Sequence, residues 1–180
     1  MRSLVFSANK RVALRAPSDG DVAFFARLRN DLLLQMQLMA LPRPNSLRRV
    51  RDWLSQANQD ERRVLLVISS RRGGRALGYT QLAQIETLHR TAELGICLAH
   101  EAQGRGLGGQ SMRLLEEYAF DALGLRKLTL RVLKGNTKAA RLYRRLGYSK
   151  VGTLRKQFWQ GGKFHDVVLM EKFLSREASA

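Results

Sequence analysis

The chain has 180 residues, 44% of them hydrophobic, which fits one domain of ordinary size with a packed core and excludes wholesale disorder. Its one cysteine, Cys97, excludes an intramolecular disulfide framework and a cysteine-based zinc site, and His89, His100 and His165 lack metal-ligand spacing, so no metal is expected. The formal net charge of +17 gathers mainly after residue 120, with no block of five like charges, and favours anionic ligands such as phosphates, nucleotides, RNA or an acidic protein, unless the surplus of arginine is only a compositional bias.

Residues 11–15 alternate around Val12 and Leu14 and predict a short strand. Pro17-Ser18-Asp19-Gly20-Asp21 reads as a turn and helix cap, and Val22, Phe25, Leu28 and Leu32 have helical spacing. Pro42-Arg43-Pro44 breaks the chain, and Asn45 or Ser46 can cap a second helix with Leu47, Val50, Trp53 and Leu54 on one face. Val64-Leu65-Leu66-Val67-Ile68 is the near-continuous apolar run of a strand covered on both faces. Strands follow over 76–85 and 91–99, a helix over 106–123, a strand over 127–132 and a helix over 137–146 closed by Gly147. Two last strands, 148–158 and 166–173, flank Gly161-Gly162. Three consecutive strands predict an antiparallel part, and the strand–helix–strand unit around residue 106 predicts a parallel pair. No apolar run approaches the roughly 20 residues of a membrane helix, and the amino-terminal apolar stretch is too short for a signal peptide, so a cytoplasmic chain with no membrane partner is expected.

Gln103-Gly104-Arg105-Gly106-Leu107-Gly108-Gly109 lies between a predicted strand and a predicted helix. Glycines let the backbone bend and let a ligand approach the amides, and the free N–H groups of the following helix carry partial positive charge, so the turn is suited to a phosphate or diphosphate. Arg105 can add a side-chain charge. A P-loop is excluded, because no Gly-Lys-Ser/Thr follows. Gly104-x-Gly106-x-x-Gly109 satisfies the dinucleotide pattern, but the next strand ends at Val132-Leu133-Lys134 without the acidic residue that a nicotinamide enzyme uses.

The same segment resembles the signature of the GNAT superfamily of acyl-CoA N-acyltransferases, Gln/Arg-x-x-Gly-x-Gly/Ala, which Gln103 to Gly108 match in full. A second element of that family, a strand, an Asn, small residues and Leu-Tyr-x-x-Leu-Gly-Phe/Tyr, is matched by Leu130-Arg131-Val132-Leu133-Lys134-Gly135-Asn136 and Leu142-Tyr143-Arg144-Arg145-Leu146-Gly147-Tyr148. The likeness runs from about residue 12 to residue 173. Tyr118-Ala119-Phe120 and Gly152-Thr153-Leu154-Arg155 look like the branch holding ribosomal-protein alanine, spermidine and some amino-sugar acetyltransferases. The resemblance implies an α+β fold: a mixed, mostly antiparallel sheet of about seven strands, a parallel pair at the coenzyme site, and about four flanking helices. A single domain is expected over residues 1–180, with its core at about 11–174.

It also implies acetyl-CoA as co-substrate and a primary amine as acceptor. Backbone amides of Gln103, Gly104, Arg105, Gly106, Leu107, Gly108 and Gly109 would hold the diphosphate, and an N–H in the stretch Ile96, Cys97 and Leu98 would polarise the carbonyl. Asn136 would bond the pantetheine arm or cap its helix. Tyr143, seven residues on and so two turns along, would be the acid for the thiolate. Glu93 is the candidate base, directly or through water, or else a strand carboxylate in an ion pair; Cys97 reads as a small buried residue. His165 would reach the acceptor cleft, and Trp53 and Trp159 would pack or roof a pocket. The positive surface ranks a polyamine below an amino sugar or a ribosome-associated protein amino terminus as acceptor. The alternative is an inactive, basic GNAT-like domain that docks on RNA or a protein. A homodimer is compatible with the sequence.

Overall fold

The computed structural model describes residues 5–175. Its strands are β1 (Val5–Ala8), β2 (Val12–Arg15), β3 (Val64–Ser70), β4 (Ala76–Glu86), β5 (Thr91–Leu98), β6 (Lys127–Leu133), β7 (Ser149–Gln160) and β8 (Lys163–Phe173). Its α-helices are α1 (Val22–Asn30), α2 (Leu32–Gln37), α3 (Leu47–Gln59), α4 (Leu107–Asp121) and α5 (Thr137–Arg145). The strands form one sheet in the order β1-β2-β3-β4-β5-β6-β8-β7. Every pairing is antiparallel except β5 with β6, which α4 joins by a crossover. This is the mixed α+β architecture that the sequence predicts.

Period-two alternation sorts the strand residues between two helical layers. Leu66 and Ile68 of β3 join Leu14, Leu82, Leu94 and Leu128 in a core that Met112, Leu115 and Ala119 of α4 complete. Leu65 and Val67 face the other way, onto Phe25, Leu28, Val50 and Leu54 of α1 and α3. The apolar run at 64–68 is therefore covered on both faces. Fully burying a leucine of this kind contributes roughly 1.5–3 kcal/mol.

Two elements differ from expectation. A further strand, β1, pairs with β2, and its four residues are too few to show a period. The helix expected through Leu32 breaks at Asp31, whose backbone is extended and whose carboxylate accepts the Leu34 amide at 3.0 Å, capping α2. Asn30 and Asn45 hold the break from across the loop: the Asn45 amide donates to Asn30 Oδ1 at 2.9 Å, and Asn30 Nδ2 donates to the Asn45 carbonyl at 2.9 Å. Ser46, the second of the two expected caps, accepts the Arg49 amide at the start of α3. Gly147 has φ 89°, the left-handed conformation that ends α5.

Candidate active site

The pairing of β5 with β6 lasts three residues and ends at Glu93 opposite Thr129. Beyond it β5 stays with β4 as far as Leu98, and β6 stays with β8 as far as Leu133, so the two parallel strands part. The gap opens a cleft of about 780 Å³ through the sheet, reached from both helical layers. In an antiparallel ladder, the N–H groups of successive residues point alternately to either side. The Ala99 amide donates to the Leu77 carbonyl at 2.9 Å, which turns the amide of Cys97 toward β4 and those of Ile96 and Leu98 toward the gap. Of the three residues in the expected stretch, Ile96 and Leu98 thus present free donors to the cleft.

Gly78 keeps this strand in place. A Cβ there would fall 2.1 Å from the Cys97 carbonyl oxygen and 2.9 Å from Leu98 Cα. Gly78→Ala is expected to push β5 off β4 and destabilise the fold by about 1–3 kcal/mol, the usual cost of overpacking, while lowering turnover; urea unfolding and a rate assay on the same sample measure both.

On the α4 side the cleft is walled by Gln103, Gly104, Gly106, Leu107, Gly108 and Gly109. Gly104 and Gly106 have φ of 73° and 75°, and a Cβ on either would stand in open space. Gly106 is the N-cap of α4 and no side chain caps that helix, so its first amides remain available to an anion. Gln103 Nε2 donates to the Leu98 carbonyl at 3.0 Å, tying the turn to the end of β5. Arg105 is exposed, and its side chain is not among the cleft's walls. These residues fit a diphosphate: main-chain donors, a helix terminus, and empty space where side chains would stand.

α5 supplies the next wall. Asn136 caps it, with Oδ1 accepting the Ala139 amide at 3.1 Å, and also lines the cleft. Tyr143 lines it two turns along. Burial, and after it the neighbouring Cys97, push the Tyr143 phenol up to about 12, so it keeps its proton at neutral pH. Burial, and after it Asp31, push the Cys97 thiol up to about 12 as well, which leaves it a poor nucleophile. Glu93 accepts a hydrogen bond from Arg131 Nε at 3.0 Å, at the point where β5 and β6 part.

The opposite mouth lies under α1 to α3, and most of its chemistry carries no motif. Arg29, Gln35, Trp53, Arg63, Tyr79 and Gln81 line it. The Arg29 guanidinium sits 4.3 Å from the centre of the Trp53 ring, which packs edge-on against Phe25 and Tyr79. Trp53 therefore both packs and roofs. A period-two reading of β4 could have placed Tyr79 and Gln81 on one face; nothing local marks Arg29 or Arg63. His165 lies instead in the β7–β8 hairpin, its Nε2 3.1 Å from the Gln160 carbonyl, and Trp159 is exposed there against Phe164.

A family model described as the acetyltransferase (GNAT) domain matches residues 11–149. The chain belongs to the GNAT acetyltransferases. This GNAT chain is 36% identical over 113 residues to the spermidine N(1)-acetyltransferase of Escherichia coli (strain K12), a match that takes in 63% of the chain and 59% of that enzyme's length. It is 28% identical over 172 residues to the spermidine N(1)-acetyltransferase of Vibrio cholerae, covering 93% of the chain and 98% of that enzyme. The crystal structure of spermidine N-acetyltransferase from Vibrio cholerae in complex with CoA and spermine superposes with a TM-score of 0.86 at 28% identity, over 92% of this chain and 97% of that one. Among the described residues of this GNAT domain, no helix is long and apolar enough to cross a membrane, and no three His, Cys, Asp or Glu side chains group as a metal site.

Proposed function

We propose that the protein transfers the acetyl group of acetyl-CoA directly to the primary amine of a small molecule. The observation that carries this reading is the cleft through the sheet, with a glycine-lined anion cradle at one mouth, an aromatic and arginine-lined chamber at the other, and unpaired strand amides between them. The amides of Gly106 to Gly109 hold the coenzyme's diphosphate, and Asn136 steadies its arm. The Ile96 and Leu98 amides donate to the carbonyl oxygen as negative charge builds on it, a preorganised contribution that is usually the largest single one in acyl transfer. As the C–N bond forms and the C–S bond breaks, Tyr143 gives its phenolic proton to the departing thiolate. The attacking nitrogen loses its surplus proton toward Glu93, directly or through water. The relatives named above act, by their names, on spermidine, which supports a small amine as the acceptor class. A solved Vibrio cholerae relative is described as dodecameric, and exposed Val151, Leu154, Trp159 and Phe164 along the β7–β8 edge support self-association here.

The test is calorimetric titration with coenzyme A, joined to free-thiol release from acetyl-CoA over a panel of amines. Gly106→Val is expected to weaken coenzyme binding by ~10-fold or more, because a branched side chain opposes φ 75° and fills the cradle, while the far-ultraviolet circular dichroism is kept. Undiminished affinity in this variant would remove the diphosphate from the turn.

A further inference from the structure

The chamber under α1 to α3 carries an unusual charge pattern. Arg29 and Arg63 both line it, and among the described residues that wall the cleft Glu93 is the one carboxylate. Glu93 is taken up by Arg131. The two guanidinium groups are held by neutral partners. Arg29 Nε donates to Asn45 Oδ1 at 3.4 Å, and Arg63 donates through Nε and Nη2 to Gln81 Oε1 at 3.2 and 2.6 Å. An amide oxygen orients a guanidinium without cancelling its charge. Burial lowers the Arg29 guanidinium, and the charges of Arg49, Arg63 and Arg43 press in the same direction against the phenol of Tyr79. Neither Asp31, whose carboxylate lies against His100, nor Glu86, paired with Arg62, is among the cleft's walls. Like charges gathered on one side of a cleft, half out of water and uncompensated, oppose folding. A bound anion relieves that repulsion, and a polycation would add to it.

We infer that Arg29 and Arg63 form an anion subsite for the acceptor, so that the amine acetylated here itself carries a phosphate or diphosphate group. This rests on the acetyl-transfer reading above, which makes the chamber the acceptor's. More than one guanidinium, with further arginine charge behind, matches a phosphate dianion or diphosphate better than a single carboxylate, and arginine forks bind phosphate oxygens in pairs. The anion held there leaves the far end of the acceptor, its amine, to face the parted strands. The inference separates this chain from relatives named for spermidine.

Inorganic pyrophosphate titrated into protein already saturated with coenzyme A tests it, because the glycine cradle is then filled. One saturable site is expected, weakened by ~10-fold or more in Arg29→Gln and in Arg63→Gln, the usual effect of losing a charge-assisted hydrogen bond, and unchanged in Arg113→Gln on the exposed face of α4. Glucosamine 6-phosphate is expected to exceed glucosamine in kcat/KM, with the advantage lost in Arg29→Gln, and both are expected to exceed spermidine. No pyrophosphate binding to the coenzyme-loaded protein overturns the inference. So does binding indifferent to both arginine substitutions, or spermidine turnover by the unsubstituted protein that matches or exceeds that of glucosamine 6-phosphate. If coenzyme A itself fails to bind, the acetyl-transfer reading falls, and the same two variants still read the anion site on the free protein. Near-ultraviolet circular dichroism of each variant separates lost binding from lost fold.

Discussion

Tyr143→Phe is expected to lower kcat by about 10²- to 10⁴-fold, the range that a positioned general acid contributes, with little change in the KM for acetyl-CoA. The phenol is buried in the cleft wall, and that burial, which pushes it up to about 12, keeps it protonated at neutral pH. A departing thiolate takes up a proton, and phenylalanine keeps the ring's packing against Tyr148 while removing the hydroxyl proposed to supply it. The loss is expected to shrink when the acetyl thioester of a more acidic thiol replaces acetyl-CoA, since a better leaving group needs less help. Stopped-flow thiol release with the two thioesters measures this. An equal loss with both donors would show that Tyr143 positions the coenzyme rather than protonates it.

Asp21→Ala is expected to destabilise the fold by about 3–5 kcal/mol, and by this to lower the melting temperature by on the order of 10 °C, because it strands the buried Arg15 guanidinium. The pair is bidentate, with Arg15 Nη1 and Nη2 each 2.7 Å from an Asp21 oxygen and both side chains under 10% exposed, at 7% and 6%. Ser18 adds its amide and hydroxyl to Asp21 Oδ2, each at 2.8 Å, so the carboxylate locks the turn that starts α1. Burial alone would raise the Asp21 carboxyl, but the hydrogen bonds from Arg15 and Ser18 outweigh it and hold the group below its ordinary 3.8. The sign follows: the unfolded chain takes up this proton first, so the contribution is complete above pH 3.8 and is lost as pH falls through the lower folded value. Thermal melts between pH 2 and 7 measure both effects. Wild type should lose stability in that acid window, and Asp21→Ala should lack the Asp21 part of the loss.

The parts of the site legible in the chain are those whose chemistry is local. Gly104 and Gly106 announce left-handed backbone because side chains are costly there, and Gln103 and Asn136 sit within a few residues of the backbone groups they bond. Asn136 as a cap is similarly local, since it binds an amide three residues on. The helix break at Asp31 was less visible: its cap is local, but the asparagine clasp that holds the break joins positions 15 apart.

Amphipathic spacing and glycine placement predict most of the strands and helices and the turn at 103–109, because they act over one or two turns of chain, and the order of those elements predicts the parallel pair. Where β5 leaves β6, which amides that departure frees, and that Arg29 and Arg63 meet across one chamber depend on strands and helices brought together from 34 or more positions apart. Side chains from distant segments share a cleft only after the sheet has chosen its faces, and no local pattern records that choice.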